Sequence, residues 1–381
     1  MPNTSSKVVI IPIETKRQMN LFVNFSIDLY KDNPYYVPEF TFDTKATLTP
    51  GKNPALDFCQ AQPFLAYINN KVVGRVVALI NPVANEKWES QNVRFGWIDF
   101  IDDYDVCAAL LDAVAAWGKE RGMTNLNGPL GFTDLDREGG LVDGYDKMST
   151  MSLAYSFSYY AQYYDKYGLQ KSIDWVEYNI RIPDIIPDKY ASMANIVAQR
   201  FDLHIKKYTS HKKFVKEAAQ EIFDLLNECY SKLYGYSELN QKQIDKTISD
   251  YIPFVDLNLI SLIYDKDEQL VSFALMIPSL AKAIQKAKGR LFPFGWWHLV
   301  KALYLKHDDT IEFLLVAIKP TYQGKGLNAM LISDLLTYMN KSGYKYCETN
   351  ANLENNLSIQ AMWKSFDKDI VKRRRAYIKE I

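Results

Sequence analysis

Apolar residues along the chain switch between two spacings, and the switches mark a sequence of elements. Lys7–Ile13 is a β-branched run that reads as a strand. Met19, Phe22, Val23, Ile27 and Tyr30 then fall on one face of a helix. Phe64–Ile68 and Val72–Ile80 flank Asn69-Asn70-Lys71 and predict a hairpin. Phe95–Ile101 predicts another strand. Val106, Ala109, Leu110, Ala113, Val114 and Trp117 then give three helical turns, closed near Gly122. Thr124–Asn127 begins a further strand.

The second half replays this order. Leu203–Tyr208 reads as a strand, and Phe214–Tyr230 as a helix with Phe214, Ala218, Ile222, Leu225, Leu226 and Cys229 on one face. Leu259–Tyr264 and Leu270–Ile277 form a second hairpin, and Ile311–Ile318 a strand. Leu327, Met330, Leu331, Leu335, Tyr338 and Met339 predict a helix ending near Gly343, followed by a strand at Tyr344–Thr349. The two helix-ending glycines are 343 − 122 = 221 residues apart, and Val106 stands opposite Leu327 at the same offset. The expectation is two copies of one α/β module rather than two unrelated domains. The boundaries are an N-terminal module over residues 1–182, a linker helix over 183–200 and a C-terminal module over 201–381. The second copy carries an insertion, residues 279–307, with Lys282, Lys286, Lys288 and Arg290 ahead of Leu291-Phe292-Pro293-Phe294-Gly295-Trp296-Trp297. It reads as packed helices, as a lid over a cleft, or as a peripheral membrane contact through residues 291–305.

Composition narrows the classes. The chain has 381 residues, 48% hydrophobic and 24% charged, enough for ordinary globular cores. Lys+Arg and Asp+Glu are both 45, and a chain without basic excess argues against nucleic acid as a partner. Cys59, Cys107, Cys229 and Cys347 form no CxxC pair, and four His leave little for a metal site, so none is expected. MPNTSSKVVII lacks the pattern of a secretory leader, and no 18-residue apolar stretch occurs. A cytoplasmic location is the expectation.

The chemistry gathers in Leu314-Leu315-Val316-Ala317-Ile318-Lys319-Pro320-Thr321-Tyr322-Gln323-Gly324-Lys325-Gly326-Leu327-Asn328. A strand runs through a glycine-containing turn straight into an amphipathic helix. Glycine admits close backbone approach, and a helix N-terminus offers unsatisfied N–H groups and partial positive charge. Together they favour a phosphate or pyrophosphate. Neither the GxxxxGK[ST] nor the GxGxxG pattern is present.

This stretch resembles the acyl-CoA-binding signature Q/R-x-x-G-x-G/A of the GCN5-related N-acetyltransferase (GNAT) superfamily, of which Gln323 and Gly326 are matching members. Asn328 departs from the last Gly/Ala. The resemblance implies an α/β fold of two acyl-CoA N-acyltransferase-like modules, each a mixed, mostly antiparallel sheet flanked by helices. It implies acyl-CoA, acetyl-CoA or another, as donor substrate and a small-molecule or peptide amine as acceptor. Backbone groups of Val316 and Ile318 would meet the pantetheine. Gln323, Gly324, Lys325, Gly326, Leu327 and Asn328 would hold the pyrophosphate, and Asn352 and Asn355 the CoA amides. Glu312, at the head of the CoA-loop strand, is the candidate general base, with Glu348 as second candidate. Trp363 aligns where the superfamily often has a Tyr that protonates the leaving thiolate, so Tyr346 or Tyr344 would have to supply the phenol.

In the first copy, Asp102-Asp103-Tyr104-Asp105 takes the place of the phosphate loop, either as a repulsive cluster or as a helix cap. One CoA per chain is therefore expected. Tyr163-Tyr164-Asp165-Lys166-Tyr167-Gly168-Leu169 resembles the superfamily's C-terminal helix ending. The glycine-rich loop over residues 128–144 is a candidate wall of the acceptor pocket, in a cleft between modules. Lys372-Arg373-Arg374-Arg375 reads as a solvated edge strand or a contact to the 3′-phosphate of CoA. The reading is an acyl-CoA-dependent N-acyltransferase. The alternatives are a non-catalytic CoA-binding protein and an aminoacyl-tRNA-dependent transferase of the two-module peptidoglycan-bridge type, the latter disfavoured by the neutral charge.

Overall fold

β-branched and aromatic runs become strands wherever a neighbouring run can cover one face. A computed structural model describes residues 7–381. Met1–Ser6, the start of the segment read against a secretory leader, lie outside the described residues. In chain order the strands are β1 (Val9–Pro12), β2 (Gln60–Ile68), β3 (Lys71–Ile80), β4 (Asn92–Phe100), β5 (Asn125–Gly128), β6 (Gly140–Asp143), β7 (Gln170–Arg181), β8 (His204–Ile205), β9 (Ile260–Tyr264), β10 (Leu270–Pro278), β11 (Thr310–Ile318), β12 (Tyr346–Thr349), β13 (Asn352–Leu353) and β14 (Lys368–Glu380). The helices used below are α1 (Lys16–Leu29), α2 (Thr41–Thr47), α3 (Tyr104–Lys119), α4 (Tyr159–Tyr167), α5 (Asp188–Phe201), α6 (Gln220–Tyr230), α7 (Ala281–Ala287), α8 (Gly295–Val300) and α9 (Leu327–Ser342).

The chain divides into two units. The first holds the residues up to Val176 together with Leu280–Lys301 and Val371–Ile381. The second holds Glu177–Ser279 and Ala302–Ile370. In the first unit β1, β2, β3 and β4 are antiparallel neighbours, β4 and β5 are parallel, and the end of β14 closes the sheet antiparallel to β5, Tyr377 facing Gly128. In the second unit β8, β9, β10 and β11 are antiparallel, β11 and β12 are parallel, and the end of β7 lies antiparallel to β12, Cys347 facing Ile180. Each unit is thus a mixed, mostly antiparallel sheet with helices, built to one strand plan.

Helices seal both sheets for the same reason. α3 turns Val106, Cys107, Leu110, Leu111 and Val114 inward. They join Phe95, Phe100 and Val76 in the core of the first unit. The approach is close: a Cβ on Gly74 would stand 2.8 Å from a Leu110 methyl, so only glycine lets this helix sit on β3. In the second unit α9 buries Leu327, Met330, Leu331, Leu335 and Met339.

Unit membership departs from the expected boundaries at three places. Leu280–Lys301 lies with the first unit because α7 has its own apolar partner there, with Ala281 and Ile284 packing on Val37. Its polar groups follow: Gln285 donates to the carbonyls of Pro34 and Tyr36, and Thr41 N–H donates to the Gly289 carbonyl at 2.9 Å. The expected linker helix is α5, an integral part of the second unit. The C-terminal residues complete the first sheet, which corrects the solvated-edge reading of Lys372–Arg375. Lys372 is 1% and Arg374 0% exposed. Arg373, Arg374 and Arg375 pair with β6. Arg374 donates to the Ala154 carbonyl, and Arg375 grips Asp174 with two bonds of 2.8 and 3.1 Å. Lys372 and Arg374 are buried and Arg373 and Arg375 reach Asp174, so the run is not a solvated edge. The expected strand Leu203–Tyr208 shrinks to the two residues of β8.

Candidate functional site

In the second unit β11 begins as a doubly paired strand. Thr310, Ile311, Glu312 and Phe313 pair with Tyr346, Cys347, Glu348 and Thr349 of β12. The pairing stops there. The β10–β11 register also slips, with Leu275 facing Leu315 and Met276 facing Phe313, so Leu314 is an extra residue in a bulge. Beyond it β11 keeps β10 as a neighbour and has no strand on its other side among the described residues. Ile311–Phe313 are buried, whereas Leu314–Val316 are only half-buried. Because β12 ends at Thr349, the edge of β11 beyond the bulge is left as an open slot.

At the end of that slot the chain turns through Pro320–Tyr322 into α9, a 16-residue helix. Gly324 and Gly326 both adopt left-handed φ, +73° and +87°. That conformation turns successive amides outward, and a side chain there would be strained. The N–H groups of Gly324, Gly326, Leu327 and Asn328 donate to no acceptor among the described residues, and no side chain caps the helix. A Cβ on Gly324 would meet nothing within 4 Å, while one on Gly326 would press on Val197 at 3.1 Å. The arrangement is a shallow, open nest of N–H groups on a helix N-terminus, which fits a diphosphate. Gln323 is tied back through its side-chain amide to the Ile318 carbonyl at 3.1 Å. Lys325 is exposed, with its ammonium over the rings of Tyr322 and Phe201 at 5.0 and 5.2 Å.

The other residues singled out in the sequence divide into two groups. Val316 and Ile318 lie on the open half of β11, but their carbonyls already accept from α6. Tyr230 donates to Val316 at 3.2 Å, and the Cys229 thiol to Ile318 at 3.4 Å. Burial pushes that thiol up to about 12, so it stays protonated and can donate. Glu312 is 1% exposed, and its Oε1 accepts the Ser279 hydroxyl at 2.8 Å. Glu348 lies beside it in register on β12, and the thiol of Cys347 is pushed up by burial and then by these two carboxylates. Tyr346 stands on the same strand and is exposed. Asn352 is turned inward, donating to Thr349 Oγ1 at 2.8 Å and to the Asn350 carbonyl at 2.7 Å. Asn355 is exposed in the turn that follows. Trp363 is 3% exposed and packs edge-on against Phe313, ring centroids 5.0 Å apart. It is a core residue, as its apolar neighbours Ile180, Met276, Leu335 and Phe366 show.

Sequence reasoning missed Tyr230, Cys229 and Ser279 as neighbours of the site. The signal for the first two was available, since both close the helix that starts the second copy. Ser279 carries no local signal, because only the β10–β11 register brings it to Glu312.

The equivalent turn of the first unit is closed. Asp103 caps α3, accepting the Asp105 N–H at 2.9 Å, and Asp102 accepts the Tyr163 hydroxyl at 2.7 Å. The glycine-rich loop is held from within the first unit by Arg94 on the Gly131 carbonyl and Asn81 on the Phe132 carbonyl. With Arg75, Asp99 and Tyr160 it lines a small pocket of about 60 Å³. Arg75 and Asp99 form a buried ion pair of 2.7 Å there, joined by the Tyr30 hydroxyl at 2.9 Å.

Residues 219–366, which contain α6, the slot and the amide nest, match the model of the acetyltransferase (GNAT) family. The chain is 25% identical over 374 residues to Protein YghO of Escherichia coli (strain K12), covering 96% of this chain and 94% of that one. It is 24% identical over 336 residues to the Bacterial ceramide synthase of Caulobacter vibrioides, covering 86% and 85%. A tandem GNAT protein from the clavulanic acid biosynthesis pathway superposes with a TM-score of 0.55 at 10% identity, covering 98% of both chains. Residues 219–366 accordingly resemble the GNAT acetyltransferase family, in a chain that has the fold of a tandem GNAT protein.

Proposed function

We propose that this protein transfers an acyl group from acyl-CoA to an amine, and that the second unit binds the donor. The observation that carries the reading is the set of unpartnered amides at Gly324, Gly326, Leu327 and Asn328, directly after the half of β11 that pairs with β10 alone. Gln323 through Asn328 would hold the diphosphate, and the edge of β11 around Val316 and Ile318 would lie along the pantetheine. Acyl-CoA supplies the activated thioester carbonyl. The chain's own residues supply position and proton transfer. Glu312 would act as the base for the acceptor ammonium, oriented by the Ser279 hydroxyl. Because it is buried, the proton would reach it through a neighbour, and Glu348 is the nearest carboxylate in register. Tyr346 is the phenol available to return a proton to the leaving thiolate, a role Trp363 lacks the chemistry for. The Caulobacter relative bears the name of an enzyme that forms ceramide, an amide of a long-chain amino alcohol. That supports an amine as acceptor class and brings long-chain amino alcohols into the set to be tried.

The test is thiol release from acetyl- through palmitoyl-CoA against short, peptidyl and long-chain amines. Release that requires the amine, with amide product recovered by mass spectrometry, is expected. CoA binding without turnover for any amine would make the chain a CoA-binding protein instead.

A further inference from the structure

The most exposed aromatic cluster of the first unit is unaccounted for by acyl transfer. Phe292 is 80% and Phe294 76% exposed, while Trp296 and Trp297 are 44% and 47% exposed. They sit in the turn before α8 and on its first residues, Trp296 and Trp297 edge to face at 5.9 Å. The segment under them is anchored: a Cβ on Gly295 would collide with the Arg290 carbonyl, and the Trp296 indole donates to the Pro293 carbonyl at 3.1 Å. The rings therefore project from a built turn. Phe42, 53% exposed, follows Thr41, whose N–H donates to Gly289. Singly exposed apolar residues need no explanation, but a contiguous aromatic group does.

Charge names the partner. From Leu280 to Lys301 the chain has Lys282, Lys286, Lys288, Arg290 and Lys301 and no Asp or Glu. Lys286, Lys288, Arg290 and Lys301 are exposed. The acid that packs under the segment, Glu39, is turned away, 3.4 Å from Arg137 and accepting from Thr44 at 2.9 Å. Exposed aromatic rings on a segment that carries five cations and no acid of its own, the exposed Asp43 beside Phe42 being the nearby exception, match the headgroup region of an anionic bilayer: the rings enter the acyl boundary and the cations meet lipid phosphates. No helix among the described residues is long and apolar enough to cross a membrane, so the contact is peripheral. We propose that the segment around Phe292–Trp297 docks the protein on an anionic lipid surface. This inference stands independently of the acyl-transfer reading.

Co-sedimentation of the full chain with phosphatidylcholine vesicles, with and without 30% phosphatidylglycerol (about a third of the lipid, enough to charge the surface), tests it. Binding is expected with the anionic vesicles and is expected to weaken as salt rises. Phe292→Ser with Phe294→Ser should lower partitioning about tenfold or more. Lys288→Glu with Lys301→Glu should lower it by about fivefold or more per site. Thermal melts unchanged from the parent protein would show that these exposed substitutions leave the fold intact. Absence of binding to the anionic vesicles would overturn the proposal, as would equal binding to neutral ones. Concentration-dependent dimerisation that the Phe substitutions abolish, without vesicle binding, would overturn it in favour of a second copy as the occupant.

Discussion

Glu312 and Asp134 are carboxyls in opposite situations, and each makes a prediction. Glu312 is held by a hydroxyl beside a candidate reaction slot. Glu312→Gln keeps the shape and the Ser279 contact but removes the base. Acyl transfer should fall by about 10²-fold or more, the loss expected for a general base, while CoA affinity stays nearly constant. An unaltered pH–rate profile in the variant would reassign the role to Glu348 or to water. Asp134, in the glycine-rich loop of the first unit, is raised to about 7, chiefly by burial, against a lowering hydrogen bond with Glu138, which is itself raised by burial and then by Asp134. A carboxyl ordinarily titrates near 3.9. Between about pH 4 and pH 7 the unfolded chain has lost this proton and the folded chain keeps it. Stability therefore falls as pH rises through that window. Asp134→Asn removes the titration and can still hydrogen-bond Glu138. Its melting temperature relative to the parent should rise from pH 4.5 to pH 7.5, corresponding to about 1–3 kcal/mol at the upper end. A difference that does not change with pH would refute the shift.

The strand, turn and helix that form the amide nest act together. β11 loses its second partner after Phe313, the bulge at Leu314 offsets the strand, and two left-handed glycines aim N–H groups outward before α9 begins. Gly326→Asp would force a side chain into φ +87°, against Val197, and would add negative charge where a diphosphate is proposed to sit. CoA affinity should be abolished, as read by calorimetry. Affinity retained within about threefold, roughly 0.65 kcal/mol, would remove this turn from the site.

Over the entire chain, the two copies of the plan differ at the turn that leads into the sealing helix. In the second unit the helix N-terminus is open; in the first, the Asp103 carboxylate already caps it by accepting the Asp105 N–H, and Asp102 accepts a tyrosine hydroxyl. Calorimetric titration with CoA should therefore fit one site per chain. A value near two would refute the division of labour. How far such conclusions were legible beforehand varies with the range of the interaction. The repeat, both hairpins, the helices ending near Gly122 and Gly343 and the glycine turn follow from local periodicity and turn chemistry, which the side chains carry in their own order. The 221-residue offset showed the duplication because both copies had to bury the same faces. Lys372–Arg375 misled, because a basic run reads as solvated until Asp174, the Ala154 carbonyl and β6 are known to lie beside it. The same holds for Ser279 on Glu312 and for the insertion on Val37. Elements, repeat and the glycine turn are written in neighbouring residues. Strand partners, unit membership and the company each charge keeps depend on contacts tens to hundreds of residues apart, whose energies exist only once the chain has closed on itself.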